Sequence, residues 1–159
     1  FKQKRIGYNK RIFLCYKFRT MVANAEDLLP SMEHLNEVQG PSFKMDNDPR
    51  VTFIGKWLRK TSIDELPQLI NVIKSEMSLV GPRPLPVRDY DNFDHDWYRR
   101  RFCVLPGITG LMQIYERDLR SYDASMKLDL EYIKNWSFFL DIKILLRTVY
   151  AVFKMAGAR

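Results

Sequence analysis

Cysteine and histidine are scarce in this 159-residue chain: Cys15, Cys103, His34 and His95 are all there is. Their spacing resembles no zinc site, and so few cysteines give no sign of an oxidising compartment. Both thiols are expected to be free and buried. No apolar run approaches the ~18 residues that read as a membrane span, and no signal peptide is visible. Internal repeats, low-complexity segments and a clear linker are missing too, so one domain over residues 1–159 is expected. The chain opens at Phe1 in what reads as a strand, and further chain upstream is expected. One absence is local. Residues 1–20 contain no acid, only Lys2, Lys4, Arg5, Lys10, Arg11, Lys17 and Arg19 among charged side chains.

What is present suits a globular protein. Aromatics are 13% and charged residues 28% of the chain, which argues against disorder. A chain of this length buries roughly two thirds of its unfolded surface and needs no staples. The net charge of +7 suggests an anionic partner: nucleic acid, a membrane surface or a phosphorylated substrate. A solvated basic face without a partner would give the same count.

Phe1 to Tyr8 and Arg11 to Phe18 alternate loosely between apolar and basic residues around Asn9-Lys10, the pattern of a β-hairpin. Val22 to Leu35 place Leu28, Leu29, Met32 and Leu35 at helical spacing despite Pro30. After loops at Gly40-Pro41 and Asp46-Asn47-Asp48-Pro49, a helix is expected over Val51 to Lys60 with Phe53, Ile54, Trp57 and Leu58 on one face. Ser62 should cap the next, Ile63 to about Ser75, whose stripe is Leu66, Leu69, Ile70 and Ile73. Val80-Gly81-Pro82-Arg83-Pro84 is neither helix nor central strand, and Pro106-Gly107-Ile108-Thr109-Gly110 reads as a second rigid turn. From Leu128 onward the chain reads as helical. Phe138, Phe139, Ile142, Leu145, Leu146, Val149, Tyr150 and Phe153 make a broad apolar face, with Lys143, Arg147 and Lys154 off it. That is the arrangement of a basic interfacial helix, and equally of a terminal helix packed on the core.

Ser62-Ile63-Asp64-Glu65 ahead of an apolar run has the form of a capping box, which needs no function. Near a helix start Asp64 should be ionised, and an ionised aspartate can ligate Mg²⁺ or attack phosphorus. Adjacent carboxylates on a helix diverge by about 100°, too far to straddle a glycosidic bond, but they can take different jobs beside one phosphate. Such a substrate needs fixed cations. Arg59 and Lys60 precede Ser62, and Arg83 is held between two prolines; an ordinary proline-rich turn remains the alternative for Arg83.

Tyr16-Lys17-Phe18-Arg19-Thr20-Met21, Asn47-Asp48-Pro49-Arg50-Val51-Thr52, Leu58 to Leu69, Met77-Ser78-Leu79-Val80-Gly81-Pro82-Arg83-Pro84, Pro106-Gly107-Ile108-Thr109-Gly110 and the stretch from Leu128-Asp129 to Asp141-Ile142-Lys143 together resemble the bacterial sugar transferase family. These are monotopic polyprenyl-phosphate phosphoglycosyl transferases that initiate exopolysaccharide, capsule and O-antigen synthesis. The resemblance implies transfer of a sugar 1-phosphate from a UDP-sugar to undecaprenyl phosphate, releasing UMP, with Mg²⁺ required. By the same resemblance Asp64 is nucleophile and metal ligand, carrying a covalent phosphosugar, and Glu65 is its partner carboxylate. Arg59 and Arg83 hold phosphate, Arg117 contacts the nucleotide, and Lys17 and Arg19 lie near the site. It further implies the cytoplasmic face of the inner membrane, a re-entrant anchoring helix before Phe1, and compatibility with a homodimer. Met112-Gln113-Ile114-Tyr115-Glu116-Arg117 departs from the family, which usually has tryptophan first and glycine before the arginine.

The expected fold is α+β: a mainly helical body with an N-terminal basic β-hairpin and amphipathic membrane-surface helices, lacking the alternation of a doubly wound sheet. A non-catalytic basic module on an anionic membrane is the alternative. Nucleic-acid binding through the hairpin is disfavoured, since it leaves Arg83 between its prolines and the Asp-Glu pair unexplained.

Overall fold

The computed structural model of the chain describes residues 1–38, 40–93, 95–115 and 121–153. Arg117 and Lys154 lie outside them. The hairpin is as expected: β1 (Lys2–Ile6) pairs antiparallel with β2 (Ile12–Tyr16), from Lys2 opposite Tyr16 to Ile6 opposite Ile12. Asn9 and Lys10 make the reversal in the left-handed region, at φ 50° and 62°. α1 (Ala25–Met32) follows, then α2 (Phe53–Lys60), α3 (Gln68–Ile73), β3 (Ser78–Val80), β4 (Leu85–Pro86) and α4 (Val87–Asp91). A 3₁₀ segment, Asp96–Cys103, leads to β5 (Gly107–Thr109), α5 (Leu111–Tyr115), α6 (Tyr122–Lys134) and α7 (Phe138–Phe153). β4 adds to the free side of β1, giving the order β2-β1-β4. This mixed architecture is the α+β fold the sequence leads one to expect.

Pro106 to Gly110 is not only a turn. Gly107–Thr109 forms a parallel ladder with β3, Ser78 opposite Gly107 and Val80 opposite Thr109. The signal was hidden because the strand is short and glycine-bounded. A Cβ on Gly107 would lie 2.1 Å from Gly81 N, so only glycine lets the two backbones meet.

The helix expected from Ile63 to Ser75 divides. Ser62 sits at φ 56° and its side chain caps nothing, so the capping box does not form. Ile63–Glu65 is a 3₁₀ turn, closed by Leu66 N donating to Ile63 O at 3.1 Å, and α3 begins only at Gln68. Pro67 explains the break: it has no N–H for the Ile63 carbonyl, which the tighter turn takes instead. α3 is also inside out relative to a simple amphipathic helix. Its apolar stripe faces outward, Ile73 being 85% exposed, while Gln68 and Asn71 are buried. Likewise α2 turns Phe53 (89% exposed), Ile54 and Trp57 outward and buries Gly55.

Two apolar clusters hold the body together. Ile6, Leu85 and Phe102 join the sheet to the 96–103 segment, and Val80, Tyr132 and Ile144 join β3 to α6 and α7. Only part of the α7 apolar face reaches them. Phe138, Phe139, Leu146, Val149 and Tyr150 remain exposed. Both cysteines are free, but only Cys15 is buried; Cys103 is exposed because Phe102 beside it takes the inward position. Among the described residues no helix is long and apolar enough to cross a membrane.

Candidate active site

The chain leaving β2 is the spine of the site. Phe18 N donates to Asp64 O at 2.9 Å, which ties the 63–65 turn to that spine, and Thr52 N donates to Thr20 O at 3.0 Å on its other flank. Thr52 then caps α2, its hydroxyl accepting from Gly55 N at 3.0 Å. A Cβ on Gly55 would stand 2.0 Å from Thr20 O, so α2 lies against the spine at backbone contact. That closeness lets Arg59 Nε donate to Thr20 Oγ1 at 2.9 Å. Behind it, Arg50 and Asp48 form a buried forked ion pair, Nη2 to Oδ2 at 2.6 Å, with Arg50 Nη1 also donating to Ala25 O.

Lys17 and Arg83 converge on one atom. Lys17 Nζ is 2.6 Å and Arg83 Nη2 2.9 Å from Glu65 Oε1. Burial would raise the Glu65 carboxyl, but Arg83 and then Lys17 outweigh it and hold the group at about 2. Asp64 behaves oppositely. It is 8% exposed, has no ion pair among the described residues, and burial pushes its carboxyl above the ordinary value against the pull of Lys17. The helix-start field expected to stabilise its charge is absent, because Asp64 sits in the 3₁₀ turn and not in α3. Burial also lowers the Lys17 ammonium, and it brings the nearby Arg5 guanidinium down to about 10 with help from Arg83.

The structure thus brings Lys17, Glu65 and Arg83 into contact, with Asp64 on the same turn and Arg59 and Arg83 both acting on its charge. Arg19 points elsewhere: it is exposed, its guanidinium 5.4 Å above the Phe1 ring. Arg117 lies outside the described residues.

Several supporting residues escaped the sequence reading. Asn71, fully buried, accepts from Tyr16 N at 3.1 Å and donates to Leu14 O at 2.8 Å, fixing α3 to β2. Gln68, Arg5 and Cys15 line a small cavity with Lys17 and Arg83. Two polar residues spaced i, i+3 opposite an apolar stripe were the available signal for Gln68 and Asn71. Arg5 had none beyond its place in an alternating strand.

The family described as bacterial sugar transferase matches residues 1–155. A galactosyl transferase of Streptococcus agalactiae, CpsE, is 48% identical over the whole of this chain and 35% of its own length. An undecaprenyl-phosphate galactose phosphotransferase of Salmonella typhimurium is 41% identical over 98% of this chain and 33% of its own. The exopolysaccharide production protein ExoY of Rhizobium meliloti is 43% identical over 98% of this chain and 70% of its own. The chain spans about a third of the length of the first two.

Proposed function

The chain belongs to the bacterial sugar transferase family, and from that premise we propose that it is the catalytic unit of a phosphoglycosyl transferase. It takes sugar 1-phosphate from a UDP-sugar, releases UMP, and passes the phosphosugar to undecaprenyl phosphate. The observation that carries this reading is the contrast between neighbouring carboxylates: Glu65 locked as an anion by Lys17 and Arg83, and Asp64 buried without an ion pair among the described residues. A poorly solvated carboxylate is the better nucleophile of the two.

In the first step an Asp64 oxygen bonds to the β-phosphorus and the bond from that phosphorus to the UMP oxygen breaks. The electron pair leaves with UMP. In the second step an oxygen of the lipid phosphate bonds to the same phosphorus, and the Asp64–phosphorus bond breaks to return the carboxylate. Arg83, Lys17 and Arg59 supply positive charge around the phosphoryl oxygens, which is the main demand of such a transfer. Glu65 keeps Lys17 and Arg83 in place. At about 2 it is too weak a base to draw a proton at neutral pH, so positioning is the role its charge supports.

Mg²⁺ fits this donor set. Among the described residues no three His, Cys, Asp or Glu side chains form a metal-holding group. Mg²⁺ needs no such cage, since it binds through one or two carboxylates and completes its shell with water and substrate phosphates. Asp64 is the residue that would hold it, and the bound ion would neutralise charge on the diphosphate.

The outer surface supports a membrane as partner. Phe53, Ile54 and Trp57 of α2, Leu66, Ile70 and Ile73 near α3, and the outer face of α7 form exposed apolar faces. Basic Lys56 and Lys60 lie on α2 and Lys143 on α7, an arrangement suited to the anionic cytoplasmic face of the inner membrane, where the lipid substrate resides. A homodimer is compatible with this placement.

The test uses the full-length parent protein in membrane vesicles with a panel of UDP-sugars. One donor should yield UMP, only with undecaprenyl phosphate and Mg²⁺ present for turnover, and EDTA should stop it reversibly. Asp64→Asn should abolish UMP release and the covalent phosphosugar adduct seen by mass spectrometry. Turnover at the wild-type rate by that variant would refute the assignment.

A further inference from the structure

Arg83 stands between Pro82 and Pro84 in the connection from β3 to β4, and both carbonyls that follow its backbone are held from the interior. Arg101 Nη2 donates to Arg83 O at 2.5 Å. Arg5 Nη1, from β1, donates to Pro84 O at 2.8 Å. Arg101 is itself fixed by α6: the same Nη2 is 2.7 Å from Asp129 Oδ2, and Nη1 meets Met126 Sδ at 3.3 Å. Arg101 and Asp129 are 2% and 1% exposed, so this ion pair is wholly interior.

A buried ion pair is a poor way to add stability, because desolvating two charges offsets most of their attraction, and packed apolar residues do as well. Among the described residues Asp129 Oδ2 has no hydrogen-bond partner, so the contact with Arg101 is electrostatic without ideal alignment. What the pair supplies is a direction. With φ fixed at Pro82 and at Pro84 and the carbonyls of Arg83 and Pro84 gripped, the Arg83 backbone is restrained at the point from which its guanidinium reaches Glu65 at 2.9 Å.

We propose that Arg101 and Asp129 are positioning residues for the phosphate-binding arginine Arg83, aiming it through the Arg83 carbonyl without touching substrate. The proposal rests on the reading of Arg83 given above. Arg101 makes the contact; Asp129 holds Arg101 in the orientation that reaches it. Lysine at 101 keeps the charge but not the fork that meets a carbonyl, a carboxylate and a thioether together.

The experiment uses the full-length protein and UDP as probe, with affinity read by isothermal titration calorimetry and folding by thermal melting. Wild type, Arg101→Lys, Asp129→Asn, Arg83→Ala and the double variant Arg83→Ala/Arg101→Lys are compared. Arg101→Lys and Asp129→Asn are each expected to weaken UDP binding by about tenfold, as misplacement of a binding group does. In the Arg83→Ala background, Arg101→Lys should weaken it no further, because the group it aims is gone. Losses that multiply in the double variant would overturn the positioning role and leave only a structural one. Folded Arg101→Lys and Asp129→Asn proteins that bind UDP as wild type does would overturn it as well. If wild type binds no UDP, the functional reading itself falls, and the proposal with it. Asp129→Asn, nearly isosteric, provides the second route if lysine at 101 disturbs folding.

Discussion

A carboxylate whose one oxygen is shared by two cations is held in its charged form, and Glu65 carries the stability consequence of that. Folded, its carboxyl lies at about 2 against 4.5 as the ordinary value. Between those values the unfolded chain binds more protons, so the contribution of Glu65 is full above 4.5 and is lost as pH falls towards 2. The shift corresponds to about 3 kcal/mol as an upper bound. In denaturant titrations Glu65→Gln should therefore be less stable than wild type at pH 7, and the gap should narrow steadily from pH 4.5 to 2. A gap that stays constant across that window would mean that Lys17 and Arg83 do not act through the Glu65 charge. Kinetically the same variant should lose activity at neutral pH with its dependence on Asp64 intact, since it removes the charge that Lys17 and Arg83 share and leaves Asp64, the proposed nucleophile, in place.

Elements reach the site through contacts that leave little trace in the sequence. Glycine within a helix ordinarily costs about 1 kcal/mol relative to alanine, so Gly55→Ala should stabilise α2 on propensity alone. Against the Thr20 carbonyl, 2.0 Å from the added carbon, it should instead destabilise the protein by about 1–3 kcal/mol and detach Arg59 from Thr20. Melting temperature and UMP release should fall together; a rise in melting temperature would show that α2 does not lie where described. By contrast, Thr52→Ala should cost about 1 kcal/mol, the usual loss for a cap of this kind. The hairpin and α2 were legible because alternation and helical periodicity are local. The split at Pro67 was not, because Ser62 and Glu65 spell a capping box, whereas Ser62 sits at φ 56° and Pro67, lacking an N–H, leaves the 63–65 turn to close through Leu66. Nor was the approach of β3 to β5, which depends on Gly81 and Gly107, 26 positions apart. The interior pairing of Arg101 with Asp129 joins residues 28 apart on different elements, and no periodicity reports it.

The whole molecule presents polar interior groups and apolar exterior helices in unusual juxtaposition. Phe53→Ser combined with Ile73→Ser removes two of its most exposed apolar side chains. Because neither packs in the core, the double variant should melt within a few degrees of wild type while sedimenting less with phosphatidylglycerol vesicles. Equal sedimentation would refute the membrane contact proposed for α2 and α3. The open edge of the sheet is a different hazard. Among the described residues β2 has a strand partner on one side only, with Ile12 and Leu14 exposed, a template on which another chain could add a strand. Asn71 occupies that template: its carboxamide takes the Leu14 carbonyl and the Tyr16 amide as the peptide group of a neighbouring strand would. One side chain thus imitates a strand one residue long, and the same helix that carries the apolar exterior closes the sheet against edge-to-edge assembly where the chain turns off to form the site.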